Sequence, residues 1–119
     1  NVLTMEDLRQ SLAESCDSLK LCRIRAAYYV ENGDIQLNAE DILKCYDTFE
    51  WLAERLSDVM QSMFYRVSQI DDDLRISVHI ASEADLCGLM SERPDLKVQQ
   101  EDEKEWFVGC SIFRKRGGR

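Results

Sequence analysis

The chain has 119 residues, 45% of them hydrophobic and 32% charged, and its 23 acids against 15 bases give a formal net charge of −8. One domain fits this length, because two would each be too small to bury a self-sufficient core. The composition excludes a chain that is disordered as a whole, the absence of an apolar run of about 18 residues excludes a membrane-spanning helix, and the acidic balance disfavours nucleic acid.

The chain opens on Asn-Val-Leu rather than Met and carries no secretory leader pattern, so it is expected to be a fragment of something longer. Thr4 and Asp7 have the spacing of a capping box. Leu8, Leu12, Cys16 and Leu19 then repeat at helical spacing, which predicts a first helix to about residue 20. Arg23 to Val30 alternates as a strand, and Asn32-Gly33-Asp34 is a turn signal. Ile35-Gln36-Leu37 is a short extended piece or a loop. Asn38 with Asp41 repeats the capping pattern, and Ile42, Cys45, Tyr46, Phe49, Leu52, Ala53 and Leu56 form a broad apolar stripe over 39–57.

Met63 to Ser68 and Leu74 to Ile80 read as a hairpin around the Asp71-Asp72-Asp73 turn. Ser82 can cap a short helix from Glu83 to about Met90, which Arg93-Pro94 ends. Leu96 to Gln100 and Glu105 to Phe113 are two more strands, with Glu101 to Lys104 as their turn. The order α-β-α-β-β-α-β-β predicts an α+β fold: a two-layer α/β sandwich with a mostly antiparallel sheet covered by helices on one face. Residues 1–113 are expected to form a single domain, and 114–119, with four basic residues, a flexible tail.

Candidate chemistry is sparse. Cys16, Cys22, Cys45, Cys87 and Cys110 contain no Cys-x-x-Cys, and His79 is the sole histidine, so no zinc set forms. Scattered cysteines on apolar faces read as reduced core residues, which predicts a cytoplasmic location. Gly33, Gly88, Gly109, Gly117 and Gly118 fall in no Gly-x-Gly-x-x-Gly or Gly-Lys-Ser/Thr setting, which excludes Walker- and Rossmann-type nucleotide sites. Asp71-Asp72-Asp73 and Glu101-Asp102-Glu103 read as solvated turns and lack the Gly hinge of a calcium loop. His79 reads as a residue on the face of a sheet. Glu50 and Glu54 lie one turn apart on the long helix. Such a pair can bind a metal or share a proton, or form a solvated face beside Arg55.

These elements resemble the C-terminal ATPase-like domain of bacterial sensor histidine kinases, of the superfamily shared with gyrase, heat-shock chaperone and mismatch-repair ATPases. The resemblance runs from Leu8 to Ile112. Its best segment, Leu37 to Glu50, is similar to the helix that opens the family's ATP site. The hairpin strand Leu74–Ile80 and the closing strand Trp106–Phe113 follow in the family's order. The resemblance implies Mg-ATP as cofactor and phosphoryl transfer to a histidine on a helical dimerisation domain upstream of residue 1.

Three motifs depart from the pattern of active members. Their helix carries Glu-x-x-x-Asn, where the Glu positions a water and the Asn holds Mg²⁺. Here the spacing reads Glu50-Trp51-Leu52-Ala53-Glu54, so Glu50 and Glu54 are the candidate cofactor-binding residues. A second carboxylate there repels triphosphate oxygens. The adenine-reading Asp-x-Gly is missing from Ala81-Ser82-Glu83-Ala84-Asp85-Leu86. In place of the glycine-rich lid, Ser82 to Leu96 holds one glycine, Gly88.

The expectation is a degenerate sensor-kinase domain with weak or lost Mg-ATP binding and no catalytic residue or resident metal of its own. Its partners would be the phosphoacceptor helical domain or a response regulator, without nucleic acid or membrane contact. The alternative is a non-catalytic protein-interaction module. The first reading places the helix at 39–57 along a groove over the sheet, with Glu50 and Glu54 facing it.

Overall fold

The computed structural model describes residues 4–31 and 38–112. Helix α1 spans Met5–Leu21, strand β1 Arg25–Val30 and helix α2 Ala39–Leu56. Strands β2 and β3 span Met60–Ile70 and Asp73–Ser82. Helix α3 is Leu89–Glu92, and β4 and β5 are Lys97–Asp102 and Glu105–Ile112. The strands form one sheet in the order β1-β2-β3-β5-β4. Only β1 with β2 is parallel; the other pairs are antiparallel. This is the predicted α+β sandwich. The short piece at 35–37, the end of the last strand at Phe113 and the tail 114–119 lie outside the described residues.

Capping begins both long helices where the sequence places them. Thr4 accepts from the Asp7 amide while Asp7 takes the Thr4 amide, each at 3.1 Å. Asn38 accepts from the Asp41 amide at 2.8 Å. Each bond satisfies an amide that the first turn leaves without a helical partner. Leu8, Leu12, Cys16 and Leu19 of α1, and Ile42, Cys45, Phe49, Leu52 and Leu56 of α2, are buried.

Strand alternation then decides which sheet face receives the helices. Ala26, Val30, Met63, Tyr65, Val67, Ile76, Val78, Trp106 and Val108 point into the core. Tyr65 fastens α2 to β2. Its hydroxyl donates to the Cys45 carbonyl at 2.6 Å, and its ring meets Phe49 edge-on at 5.0 Å.

Several expectations need correction. The helix expected over 83–90 is not there; the only helical residues of that segment are Leu89–Glu92. Ser82 spends its hydroxyl on the Val59 carbonyl (2.6 Å) while accepting from Ala84, and Asp85 turns back to the Cys87 amide. These side chains compete with the helix for the local backbone groups. The hairpin is longer than its apolar core suggests, because pairing continues from Met60↔Ser82 to Ile70↔Asp73. Its turn is therefore Asp71-Asp72, with Asp71 at φ 56°, a conformation short polar side chains tolerate. Cys22 and Cys87 are exposed, so only Cys16, Cys45 and Cys110 are core cysteines; all five are free thiols.

A groove beside the long helix

The flank of α2 away from α1 forms one wall of an open groove of about 450 Å³. Lys44, Asp47 and Thr48 line this wall, Arg93 and Asp95 form the other, and Cys110 and Ile112 of β5 contribute to the lining. Arg93 owes its place to Pro94. A residue before proline is pushed out of helical conformation, and Arg93 has left it at φ −133°, ψ 86°. α3 ends there and the guanidinium turns back toward α2. It stacks 5.2 Å over the Trp51 ring and donates to Thr48 Oγ1 at 3.4 Å. Its main partner is Asp95, which accepts from Nε at 2.8 Å and Nη2 at 2.7 Å.

The electrostatics follow from this fork. The Arg93 hydrogen bond, aided by its charge, holds the Asp95 carboxyl below the ordinary aspartate value. The Cys110 thiol lies 3.5 Å from Asp95 Oδ2. Burial first, then the Asp95 charge and hydrogen bond, pushes that thiol up to about 11. It is therefore a neutral donor at pH 7, not a nucleophile. Arg55 of α2 forks onto Glu92 of α3 (2.6–3.0 Å), tying the two helices together near Arg93. Lys44 at the rim pairs with Glu40 at 3.5 Å. The cations along this groove are thus already matched, and an incoming anion must compete with Asp95 for Arg93.

The expectation that Glu50 and Glu54 face a groove over the sheet is not met here, because neither is among the residues lining this groove. At 100° per residue, Glu50 points about 160° away from Thr48, toward α1. Its carboxylate accepts from Ser15 Oγ of α1 at 2.7 Å and from the Tyr46 hydroxyl. Glu54, one turn on, is exposed. His79 is exposed on the opposite face of the sheet, its Nδ1 3.3 Å from Glu101. Among the described residues no three His, Cys, Asp or Glu form a group that could hold a metal ion. In the sequence Thr48 and Asp95 carry no signal of their own, and Cys110 reads only as a core thiol. Arg93-Pro94 was visible only as a helix stop, and nothing in the sequence says which side chain a stop turns inward.

Comparison with known proteins identifies this architecture. No protein-family model and no curated protein matches the chain. Solved structures do. The Acinetobacter baumannii histidine kinase AdeS superposes at TM-score 0.63 and 4% identity, over 94% of this chain and 66% of that one. A nucleotide-free catalytic domain of histidine kinase ThkA gives TM-score 0.63 and 11% identity, over 92% of both chains. ThkA in complex with the response regulator TrrA gives TM-score 0.52 and 11% identity, over 92% of this chain and 41% of that one. The fold is that of histidine kinase catalytic domains, in agreement with the resemblance read from the sequence. No helix of the described residues is long and apolar enough to cross a membrane.

Proposed function

We propose that the chain is the C-terminal ATPase-like domain of a bacterial-type sensor histidine kinase-like signalling protein, with Mg-ATP binding degenerate or lost. Its remaining task is docking against a phosphoacceptor helical domain of the parent chain or against a response regulator. The observation that carries this reading is the superposition on the ThkA catalytic domain, which spans 92% of each chain. The complex of ThkA with a response regulator adds a partner class of the right kind. A reducing cytoplasm suits five free thiols.

The residues present do not fit Mg-ATP. Glu50, the carboxylate that matches the family's helix motif, is engaged by Ser15 and Tyr46 on the α1 side. Glu54 replaces the magnesium-holding Asn and is exposed. The groove cation best placed for a phosphate, Arg93, is forked onto Asp95. The link from β3 to β4 is residues 83–96, with one four-residue helix and a single glycine. In this reading Glu50 and Glu54 are remnants of a nucleotide-binding helix.

Calorimetric titration with ATP, with and without Mg²⁺, tests the proposal. The expected result is no saturable Mg-dependent heat up to millimolar nucleotide. Micromolar Mg-dependent binding overturns the loss and makes the parent a working kinase. Glu54→Asn alone is expected to leave the result unchanged, because the adenine-reading Asp and the lid are still missing.

A further inference from the structure

The two edges of the sheet are built differently. On one edge β4 is exposed at every residue but Val98, carries Lys97, Glu101 and Asp102, and slips register between Gln100 and Asp102. Charges and a bulge of this kind keep a further strand off an edge. On the other edge β1 pairs with β2 without a slip, and after Arg25 it reads Ala-Ala-Tyr-Tyr-Val. The Glu31 amide donates to the Val67 carbonyl at 2.9 Å. The odd residues of β1 therefore direct their backbone groups to β2, and the even ones, Ala26, Tyr28 and Val30, turn theirs outward. Among the described residues nothing bonds to that row, which is a template for another strand.

Helix α1 packs over this strand. Ser15 faces α2 through its bond to Glu50. At 100° per residue the opposite flank of α1, above the β1 edge, carries Glu6, Arg9, Ala13, Asp17 and Lys20. We infer that this flank and β1 form a self-association surface, on which a second copy of the chain adds its own β1 antiparallel about a two-fold axis at Ala27.

The strand is self-complementary about that axis. On the open face of the sheet Arg25 falls opposite Tyr29 of the second copy, a cation beside an aromatic ring. Arg66 stands 5.8 Å from the Tyr29 ring on the β2 side, which leaves the edge side to the incoming cation. Arg25 has no acid partner among the described residues. Arg23, in the turn before the strand (φ 65°), falls opposite Glu31, whose carboxylate the Gln69 amide holds at 2.8 Å. On the helix face Ile24 falls opposite Val30, and Ala26 opposite Tyr28, which is half-buried and has ring surface left to cover.

The helices select the same axis. Ile24 donates to the Leu19 carbonyl at 3.0 Å, so the two are level. Ala27 is ~10 Å further along the strand, and ~10 Å back along α1 is about seven residues, at Leu12 and Ala13. The flank residue at the axis is therefore Ala13, small enough for two helices to approach at ~8 Å. About it Arg9 faces Asp17, and Glu6 faces Lys20, of the second copy. An axis at Tyr28 also satisfies the strand, but it carries Asp17 and Lys20 past the start of the facing helix at Met5. At this edge each copy sets Arg9, Lys20, Arg23 and Arg25 against Glu6, Asp17 and Glu31, a near balance in a chain of net charge −8. The edge lies beyond α1 and the groove beyond α2, so the inference stands apart from the function proposed above.

Sedimentation velocity of the 119-residue chain, from micromolar to millimolar, tests it. The expected result is a concentration-dependent monomer–dimer equilibrium. Glu6→Lys alone and Lys20→Glu alone each set like charges opposite one another. Each is expected to weaken the dimer about 5- to 10-fold, the scale of two exposed ion pairs reversed. Their equimolar mixture is expected to recover it, because only the mixed pair matches charges again. In a Cys22→Ser, Cys87→Ser background, Ala27→Cys is expected to form a disulfide-linked dimer under mild oxidation. Residues facing one another in a non-hydrogen-bonded pair are ~4.5 Å apart, within disulfide reach. Gln99→Cys, on the opposite edge, is expected to stay unlinked. An unrestored mixture, or linkage at position 99 in place of 27, overturns the inference. So does a chain that is monomeric at millimolar concentration, which would leave β1 to a strand from another protein.

Discussion

Ser15 on α1 donates its hydroxyl to the Glu50 carboxylate on α2 at 2.7 Å, and Tyr46 donates to the same oxygen. This bond joins the two helices across their shared flank, and it commits the carboxylate that the helix motif singles out. Side chains 35 residues apart in sequence thereby define one another's environment.

The bond predicts a measurable coupling. Ser15→Ala is expected to cost about 0.5–1.5 kcal/mol, the net worth of one intramolecular hydrogen bond. In the Glu50→Gln background the same change should cost less, and a double-mutant cycle by urea unfolding reads the difference. The hydrogen bond to Glu50, then burial, raises the Tyr46 phenol above its ordinary value. Its titration, followed by ¹³C-tyrosine NMR, should fall back toward that value in Glu50→Gln. Additive single changes and an unmoved Tyr46 would falsify the bridge.

The Arg93–Asp95 fork predicts an acid-sensitive groove. The Asp95 carboxyl is held low by Arg93, so its contribution to stability is present above the unfolded aspartate value and lost as pH falls through the lower folded one. The side chain is half exposed (50%), so the stability effect is small. The local signal is not. The Trp51 indole beneath Arg93 should shift in the same acid range, and Arg93→Lys, which cannot fork, should abolish that shift. A Trp51 resonance that ignores this range in the native chain contradicts the geometry.

Burial of the thiols predicts an alkaline limit and a labelling pattern. Cys45 is pushed up to about 12 and Cys110 to about 11, against an ordinary 9.0, burial being the largest cause in both. The folded state keeps these protons longer than the unfolded state. Stability from this source is therefore full below pH 9.0 and falls as pH climbs toward about 11. Cys110→Ala should flatten part of that fall. Under native conditions iodoacetamide should modify Cys22 and Cys87, the exposed pair, and spare Cys16, Cys45 and Cys110 until the chain unfolds. A third adduct forming at the rate of the first two sinks the assignment of the core.

Most of the fold was legible because its signals are local. Thr4 with Asp7 and Asn38 with Asp41 mark helix starts that the hydrogen bonds reproduce. Alternation from Leu74 to Ile80 and from Trp106 to Ile112 marks strands whose even residues are all buried. The segment after Ser82 misled because its pattern is compatible with a helix, while Ser82 and Asp85 satisfy the local backbone in another way. The candidate site was less legible still. The spacing of Glu50 and Glu54 is a statement about one helix, and a helix has several faces.

Taken by itself, the sequence determined the class of fold, the order of its elements and the two capped helices, because capping and periodicity act within a few residues along the chain. It also supplied the family resemblance and showed a single glycine, Gly88, between Ser82 and Leu96. Only the tertiary structure decided which flank of α2 meets α1 and which borders the groove. It alone turned Arg93 inward, occupied Glu50 with Ser15, and put β1 at the edge of the sheet. Those outcomes depend on crossing directions and strand register, which bring together residues tens of positions apart and leave no mark in the local pattern.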